Sequence, residues 1–393
     1  MPGYSPPSTW MNPLNKDKGN RIGELLEKGA AEGVYPGAVL LFAVKGRTMG
    51  HGRCGYLSLI PDKIPMEKDT VFDLASLTKP LATTMAVMKL VGDKGVDLDR
   101  PLSDLISFPL EDKKDLTLRL LLSHSAGLVD WRPFYLDLVN FRMEERKRIL
   151  REWIIKEPFV YNPGEGCLYS DLGFMILEWI IEEIGETTLP LFMERHFFRP
   201  LSLKRTFLYQ GTLPPGLKRE NIAATEACVW RQRIIQGEVH DENAFALGGY
   251  SGHAGLFGTA KEILIMADML REHYFGERDD FFKPRIVRDF FRRQEIVEDS
   301  TWALGWDTPS VAGSSSGKYF SSTSVGHLGF SGTSIWMDLQ RDITVVFLTN
   351  RIHPDRNNRR IREFRPVLHD LIIDEVTENE ERKARREEIS IHD

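Results

Sequence analysis

Phe72-Asp73-Leu74-Ala75-Ser76-Leu77-Thr78-Lys79 is the stretch whose reading decides the rest. From Ser76 to Gly92 the spacing predicts a helix, with Leu81, Met85 and Met88 at i, i+4 and i+7 on one face. Ser-x-x-Lys at the start of a helix sets a hydroxyl and an amine on the same face, about one turn apart. The helix N-terminus adds free backbone N–H groups and a positive dipole end. Both would steady an oxyanion formed beside the serine. A lysine kept partly dry and near other cations can lose its proton near neutrality and take one from the serine. Taken alone, the four residues fit an N-cap serine with a solvated lysine more readily than a catalytic pair.

Upstream, Arg21 to Glu32 reads as a helix with Ile22, Leu25, Leu26 and Ala30 on one stripe, stopped by Gly33. Residues 37–44 form an apolar run that reads as a buried strand. Lys45-Gly46 turns the chain, and 47–55 returns as a second strand. The middle of the chain is helical with long loops. Helices are predicted at 116–122, 143–156, 173–184, 189–197 and 260–272. Strands return late, at 302–306, 321–327, 333–338 and 343–349, and a helix follows at about 361–375. Strands at both ends with helices between them predict an α/β protein. An antiparallel sheet lobe would be built from 18–95 and 300–375, with an inserted helical lobe at 96–299 and a charged tail at 376–393. Sites often form where two such lobes meet.

Two further marks follow Ser76 in order. Tyr169-Ser170-Asp171 lies just after the turn Asn162-Pro163-Gly164 and before a predicted helix. His327-Leu328-Gly329 falls between late strands, ahead of Phe330-Ser331-Gly332-Thr333-Ser334. Ser-x-x-Lys, then a Tyr-x-Asn-like triplet, then Lys/His-x-Gly resembles the serine β-lactamase and penicillin-binding-protein family of class C type. That family includes D-alanyl-D-alanine carboxypeptidases, D-aminopeptidases and related esterases, and a kindred motif set marks class A enzymes. Leu121-Leu122-Ser123-His124-Ser125-Ala126-Gly127-Leu128, the stretch from Gly252 to Ala260 and Leu348-Thr349-Asn350-Arg351 add to the resemblance, which runs over about 20–372.

The resemblance implies a β-lactamase-like fold and a serine hydrolase acting through an acyl-enzyme, without metal or cofactor. It implies that Ser76 attacks, that Lys79 is the base or its proton partner, and that Tyr169 shares their proton network and serves the leaving group. The N–H groups of Ser76 and Phe330 would form the oxyanion hole, in a segment that also holds Gly329. His327 would face the cleft and contact substrate. Two positions depart from the pattern. Asp171 stands where the family carries Asn; it loses an amide donor and can pair with Lys79 and hold it charged. His327 stands where β-lactamases carry Lys. A histidine near its usual pKa is mostly neutral at pH 7, so turnover of carboxylate-bearing substrates is expected to rise as pH falls toward 6.

Composition narrows the remaining choices. The 393 residues are 42% apolar with a formal net charge of -6, which gives a sizeable core and no basic stripe for nucleic acid. Met1 to Leu14 is rich in Pro and Ser and does not read as a secretory signal, and no stretch is long enough to span a membrane. A cytoplasmic protein is the expectation, with Cys54, Cys167 and Cys228 as free thiols. His240-Asp241-Glu242-Asn243 with His253 carries metal-type ligands, but the spacing fits no HExxH helix, and a cleft-edge loop is expected. The candidate substrates are a D-amino-acid peptide, a small ester or a β-lactam. A cytosolic carboxylesterase is the rival within the enzyme class, and a catalytically silent binder or scaffold the rival outside it.

Overall fold

The structure is a computed structural model that describes residues 20–392, with side chains described as far as Glu381. The segment Met1 to Leu14, and most of the charged tail's side chains, lie outside what is described. Gly37–Val44 is strand β1; eight buried or nearly buried residues in a row mark a strand covered on both faces. Arg47–Ser58 (β2) and Ile64–Pro65 (β3) follow it. Phe72–Asp73 (β4), Phe207–Leu208 (β5), Ala227–Cys228 (β6), Arg233–Ile234 (β7) and Leu256–Gly258 (β8) are short strands of the middle region. Val325–Leu328 (β9), Ser334–Asp338 (β10) and Ile343–Thr349 (β11) close the set.

The main sheet runs β3-β2-β1-β11-β10-β9 and is antiparallel throughout. Its centre is the pairing of the two chain ends, with Ala38 opposite Thr349 and Leu41 opposite Val346. The period of two decides which layer each residue enters. Ala38, Leu40, Phe42, Val345 and Phe347 point to one side, where they pack with Ile22 and Leu26 of the helix Arg21–Ala31 and Leu368 and Ile372 of the helix Ile361–His392. Val39, Leu41, Val346 and Leu348 point to the other side, into a larger core with Leu81, Met85, Phe174, Ile263 and Met266. Burying each such side chain favours folding by about 1.5–3 kcal/mol.

The helices between the sheet's halves fall close to the predicted places: Leu118–Leu122, Met143–Lys156, Asp171–Gly185, Leu189–Met193 and Ala260–Phe275. Their starts follow from capping. Thr117, Ser170 and Thr259 each accept a first-turn N–H on the side-chain oxygen. Two expectations need correction. The segment 302–306 is not a strand; it makes only an isolated bridge between Trp302 and Asp307, with Trp306 buried whole in the core. The helix predicted over Ser76 to Gly92 runs without a gap from Ala75 to Lys94, but it is not α-helical throughout. Ala75–Leu77 is a single 3₁₀ turn, Lys79–Thr84 a wide π turn, and α-helix begins at Met85. Pro80 has no N–H to give to the carbonyl of Ser76, four residues back, so the α pattern cannot pass through this point. Among the described residues no helix is long and apolar enough to cross a membrane.

Candidate active site

Ser76 sits on a turn that its neighbours hold in a costly shape. Ala75 has φ +49°, in the left-handed region that a residue with a Cβ enters at a cost of about 1–2 kcal/mol. Several hydrogen bonds hold that conformation. Asp73 Oδ1 accepts the Ala75 N–H at 2.9 Å, and Thr78 Oγ1 donates to the Ala75 carbonyl at 2.6 Å. Thr78 Oγ1 in turn accepts the N–H of Leu256 at 3.0 Å, tying the turn to β8. From the sheet, Ser331 Oγ donates to the Asp73 carbonyl (2.8 Å) and Thr333 Oγ1 to the Leu74 carbonyl (3.0 Å). That close approach explains Gly329: a Cβ there would lie 2.0 Å from Thr333 Oγ1 and 2.5 Å from the Leu74 carbonyl.

Lys79 is buried whole and its ammonium is fully engaged. Nζ donates to Asp171 Oδ1 at 2.6 Å, to Ser76 Oγ at 3.2 Å and to the carbonyl of His253 at 3.4 Å. It also lies 4.6 Å from the centre of the Tyr169 ring. Burial pulls the pKa of Lys79 down, but Asp171 and Tyr169 outweigh it and the net shift is upward. Burial holds the pKa of the Tyr169 hydroxyl above the ordinary phenol value, against the pull of Lys79. The Ser76 hydroxyl and the Lys79 ammonium are in contact with the Tyr169 ring beside them, and the carboxylate at 171 favours the charged ammonium.

His124 positions the Tyr169–Asp171 segment. It is buried, with φ +57°, and its Nδ1 accepts the N–H of Ser170 at 3.0 Å. Its ring lies 4.6 Å from that of Tyr169 and 4.3 Å from that of Trp302. Burial, with Lys79 nearby, drives its pKa well down, so it stays neutral. The Ser170 hydroxyl donates to the Val129 carbonyl at 2.7 Å and caps the helix that follows, so Asp171 enters on the first turn, facing Lys79.

His327 lies on β9 in the wall of the same cavity as Ser76, Tyr169, Gly329 and Phe330. Its Nδ1 bonds to the carbonyl of Leu328 at 2.9 Å, and among the described residues no partner meets Nε2. Burial first, and Lys79 second, bring its pKa down to about 3. The expected rise in carboxylate recognition toward pH 6 is therefore corrected: a histidine desolvated beside an ammonium does not take up a proton in that range.

The loop 240–243 is a brace. Asp241 Oδ1 accepts the N–H of Ala244 at 2.7 Å and pairs with His253 Nε2 at 3.0 Å. His240 pairs with Glu226 at 2.9 Å, and Asn243 bonds the backbone of Arg132 and Tyr135 on the facing loop. Asp171, Asp241 and His253 bring ligand-type atoms within 4.8 Å of one another, but Lys79 and the Ala244 N–H already engage the two carboxylates. Sequence reading missed Asp73, which holds the nucleophile turn, and the place in the cavity wall of Trp302 and of the arginines 351, 359, 362 and 365, the last four at its far end. The available signal was the basic run Arg351 to Arg365, which by itself reads as a solvated helix face.

The family profile described as Beta-lactamase matches residues 22–367. The chain is 31% identical over 365 residues to a Bacillus subtilis protein named N-acetylmuramyl-L-alanine amidase, covering 85% of this chain and 81% of the other. It is 33% identical over 334 residues to a putative D-alanyl-D-alanine carboxypeptidase of Salmonella agona, covering 77% and 74%. Among solved structures it resembles EstCE1, a hydrolase with promiscuous acyltransferase activity, with TM-score 0.68 at 23% identity over 88% of this chain and 97% of the other. It also resembles the octameric penicillin-binding protein homologue of Pyrococcus abyssi, with TM-score 0.69 at 19% identity over 90% and 77%. These two likenesses show a shared fold.

Proposed function

This chain belongs to the Beta-lactamase family and is a serine hydrolase of it; on that premise we propose that it cleaves an amide bond in peptidoglycan-derived peptides through an acyl-enzyme on Ser76. The observation that carries the reading is Lys79 Nζ, 3.2 Å from Ser76 Oγ and 2.6 Å from Asp171 Oδ1. Two relatives above 30% identity are named N-acetylmuramyl-L-alanine amidase and putative D-alanyl-D-alanine carboxypeptidase, both names of amide-cleaving enzymes, which supports an amide over an ester.

The residues divide the work as follows. The proton of Lys79 crosses to Asp171, and the neutral amine accepts the proton of Ser76 as Oγ bonds to the substrate carbonyl carbon. The N–H groups of Ser76 and Phe330 hold the carbonyl oxygen as it gains charge. The carbon–nitrogen bond then breaks, and the leaving amine takes the Tyr169 proton, which Lys79 replaces. Water then attacks the acyl carbon and gives its proton to the neutral Lys79, Ser76 leaves with the proton of Tyr169, which Lys79 replaces, and the proton held on Asp171 returns to Lys79 as the acid is freed. His327, neutral and with Nε2 facing no partner among the described residues, offers an acceptor to a substrate N–H rather than a charge to a carboxylate.

A three-substrate panel tests this. An N-acetylmuramyl-L-alanine peptide, a D-alanyl-D-alanine peptide and a p-nitrophenyl ester are compared by kcat/KM. At least one amide should exceed its spontaneous rate by a wide margin and be lost in Ser76→Ala. Turnover of the ester alone, with both amides inert, would move the protein to the esterases. Inertness to all three in a folded protein would favour a silent binder.

A further inference from the structure

The cavity that begins at Ser76 and Tyr169 runs back about 430 Å³ toward the start of the helix Ile361–His392. Its far end is lined by Arg351, Arg359, Arg362 and Arg365. Among the described residues none of the four has a carboxylate within ion-pair distance, whereas the adjoining Arg356 has two, Glu226 at 2.6 Å and Glu242 at 2.5 Å. Arg351 spends its donors on carbonyls: Nη1 on Arg356 and Asn358 (3.0 and 2.6 Å), Nη2 on Phe330 (2.6 Å). Arg365 is 3% exposed, donates Nη2 to the Gly332 carbonyl at 3.3 Å, and leaves its buried Nε with no partner among the described residues. The guanidinium groups of Arg359 and Arg362 have no hydrogen-bond or ion-pair partner among the described residues; their backbones bond to each other, Arg362 N–H to the Arg359 carbonyl at 3.0 Å. They stand at the N-terminal end of a helix, where the dipole is positive and cations are unfavourable.

A buried charge is normally paired, and Arg351 and Arg365 are buried without a carboxylate. The exposed Arg359 and Arg362 line the same chamber, and the one carboxylate described in its wall, Asp307, is bonded to neutral donors: Thr301 Oγ1 at 2.6 Å and the Thr308 N–H at 2.9 Å. Helix N-termini and bidentate guanidinium forks are both suited to oxyanions. A single carboxylate would leave most of this charge unmatched. We propose that this chamber is the subsite for a polyanionic part of the substrate, one with at least two negative oxygens beyond the scissile carbonyl, either a phosphate monoester or a pair of carboxylates. The proposal deepens the assignment of Ser76 as nucleophile and takes from it the direction in which the substrate lies.

The test separates binding from chemistry. Thermal unfolding of Ser76→Ala is followed with inorganic phosphate, glutarate or acetate, each balanced with sodium chloride to one ionic strength, and is repeated in Arg359→Gln/Arg362→Gln. These two arginines are exposed, so the double variant should fold. Phosphate or glutarate should raise Tm where acetate does not, and the double variant should lose at least tenfold in the affinity so measured. Stabilisation by phosphate alone identifies a phosphate monoester, and by glutarate alone a dicarboxylate. In a Ser76-intact background, inhibition of ester turnover by the stabilising anion should weaken tenfold in the double variant. Equal effects of all three anions, or full retention by the double variant, would overturn the subsite. Absence of turnover by the unsubstituted enzyme on every substrate, with anion stabilisation intact, would instead count against Ser76 as nucleophile.

Discussion

With a carboxylate 2.6 Å from its ammonium, Lys79 begins the reaction charged, and Tyr169 begins it with its proton in place. An asparagine at 171 would leave Lys79 to burial, which lowers a lysine pKa, and would remove the place where its proton can wait. In Asp171→Asn, kcat/KM should fall ten- to a hundredfold at pH 7 and climb with pH as the amine loses its proton to solvent. The unsubstituted enzyme should show no such limb between pH 7 and 9. Profiles that superimpose would remove Asp171 from the proton path. His327, at about pKa 3, contributes nothing to the profile at these pH values. The pairing of Lys79 with Asp171 was one of the outcomes legible in the sequence. The state of His327 was not, because desolvation and the field of Lys79 belong to the fold and have no local pattern.

At the scale of the element, the nucleophile turn is a short piece of backbone fixed from three directions. Thr78 is its hub, donating to Ala75 and accepting from Leu256 while buried completely. Thr78→Val keeps the shape and removes both bonds, leaving the Leu256 N–H unpaired. The expected cost is about 1–3 kcal/mol of stability, read as a lower denaturant midpoint with unchanged slope. A fall in kcat larger than the rise in KM should accompany it, because the bonds hold Ala75 at positive φ and aim Ser76. A variant as stable and active as the parent would mean the turn is held elsewhere. A helix beginning near Ser76 could be read from the spacing of Leu81, Met85 and Met88. Its opening with a 3₁₀ turn and a wide turn follows from Pro80 together with contacts to β8 and the 329–333 turn, which no window of sequence contains.

In the molecule as a whole, the site is where three distant parts of the chain meet: the nucleophile turn after β4, the turn into the helix Asp171–Gly185, and β9 with the turn after it. The antiparallel sheet that joins the chain's two ends sets this meeting, because β1 pairs with β11 and β10 with β9. The sheet and most helices were legible because their apolar periods are long and unbroken, as in 37–44, 143–156 and 343–349. The segment 302–306 was misread because alternating tryptophans mimic a strand, while Trp306 fills the core and Trp302 packs on His124. The arginine-lined end of the cavity was hidden for the opposite reason: in sequence, charges beside a helix look solvated. The account rests on Ser76 as the atom that becomes acylated. Intact-mass spectrometry with peptide mapping, after exposure to a fluorophosphonate or a fluorescent penicillin, reads this most directly. One adduct per chain, on the peptide carrying Ser76 and absent from Ser76→Ala, is the predicted result. An adduct that persists in Ser76→Ala, or no adduct from either reagent on folded protein, would contradict it.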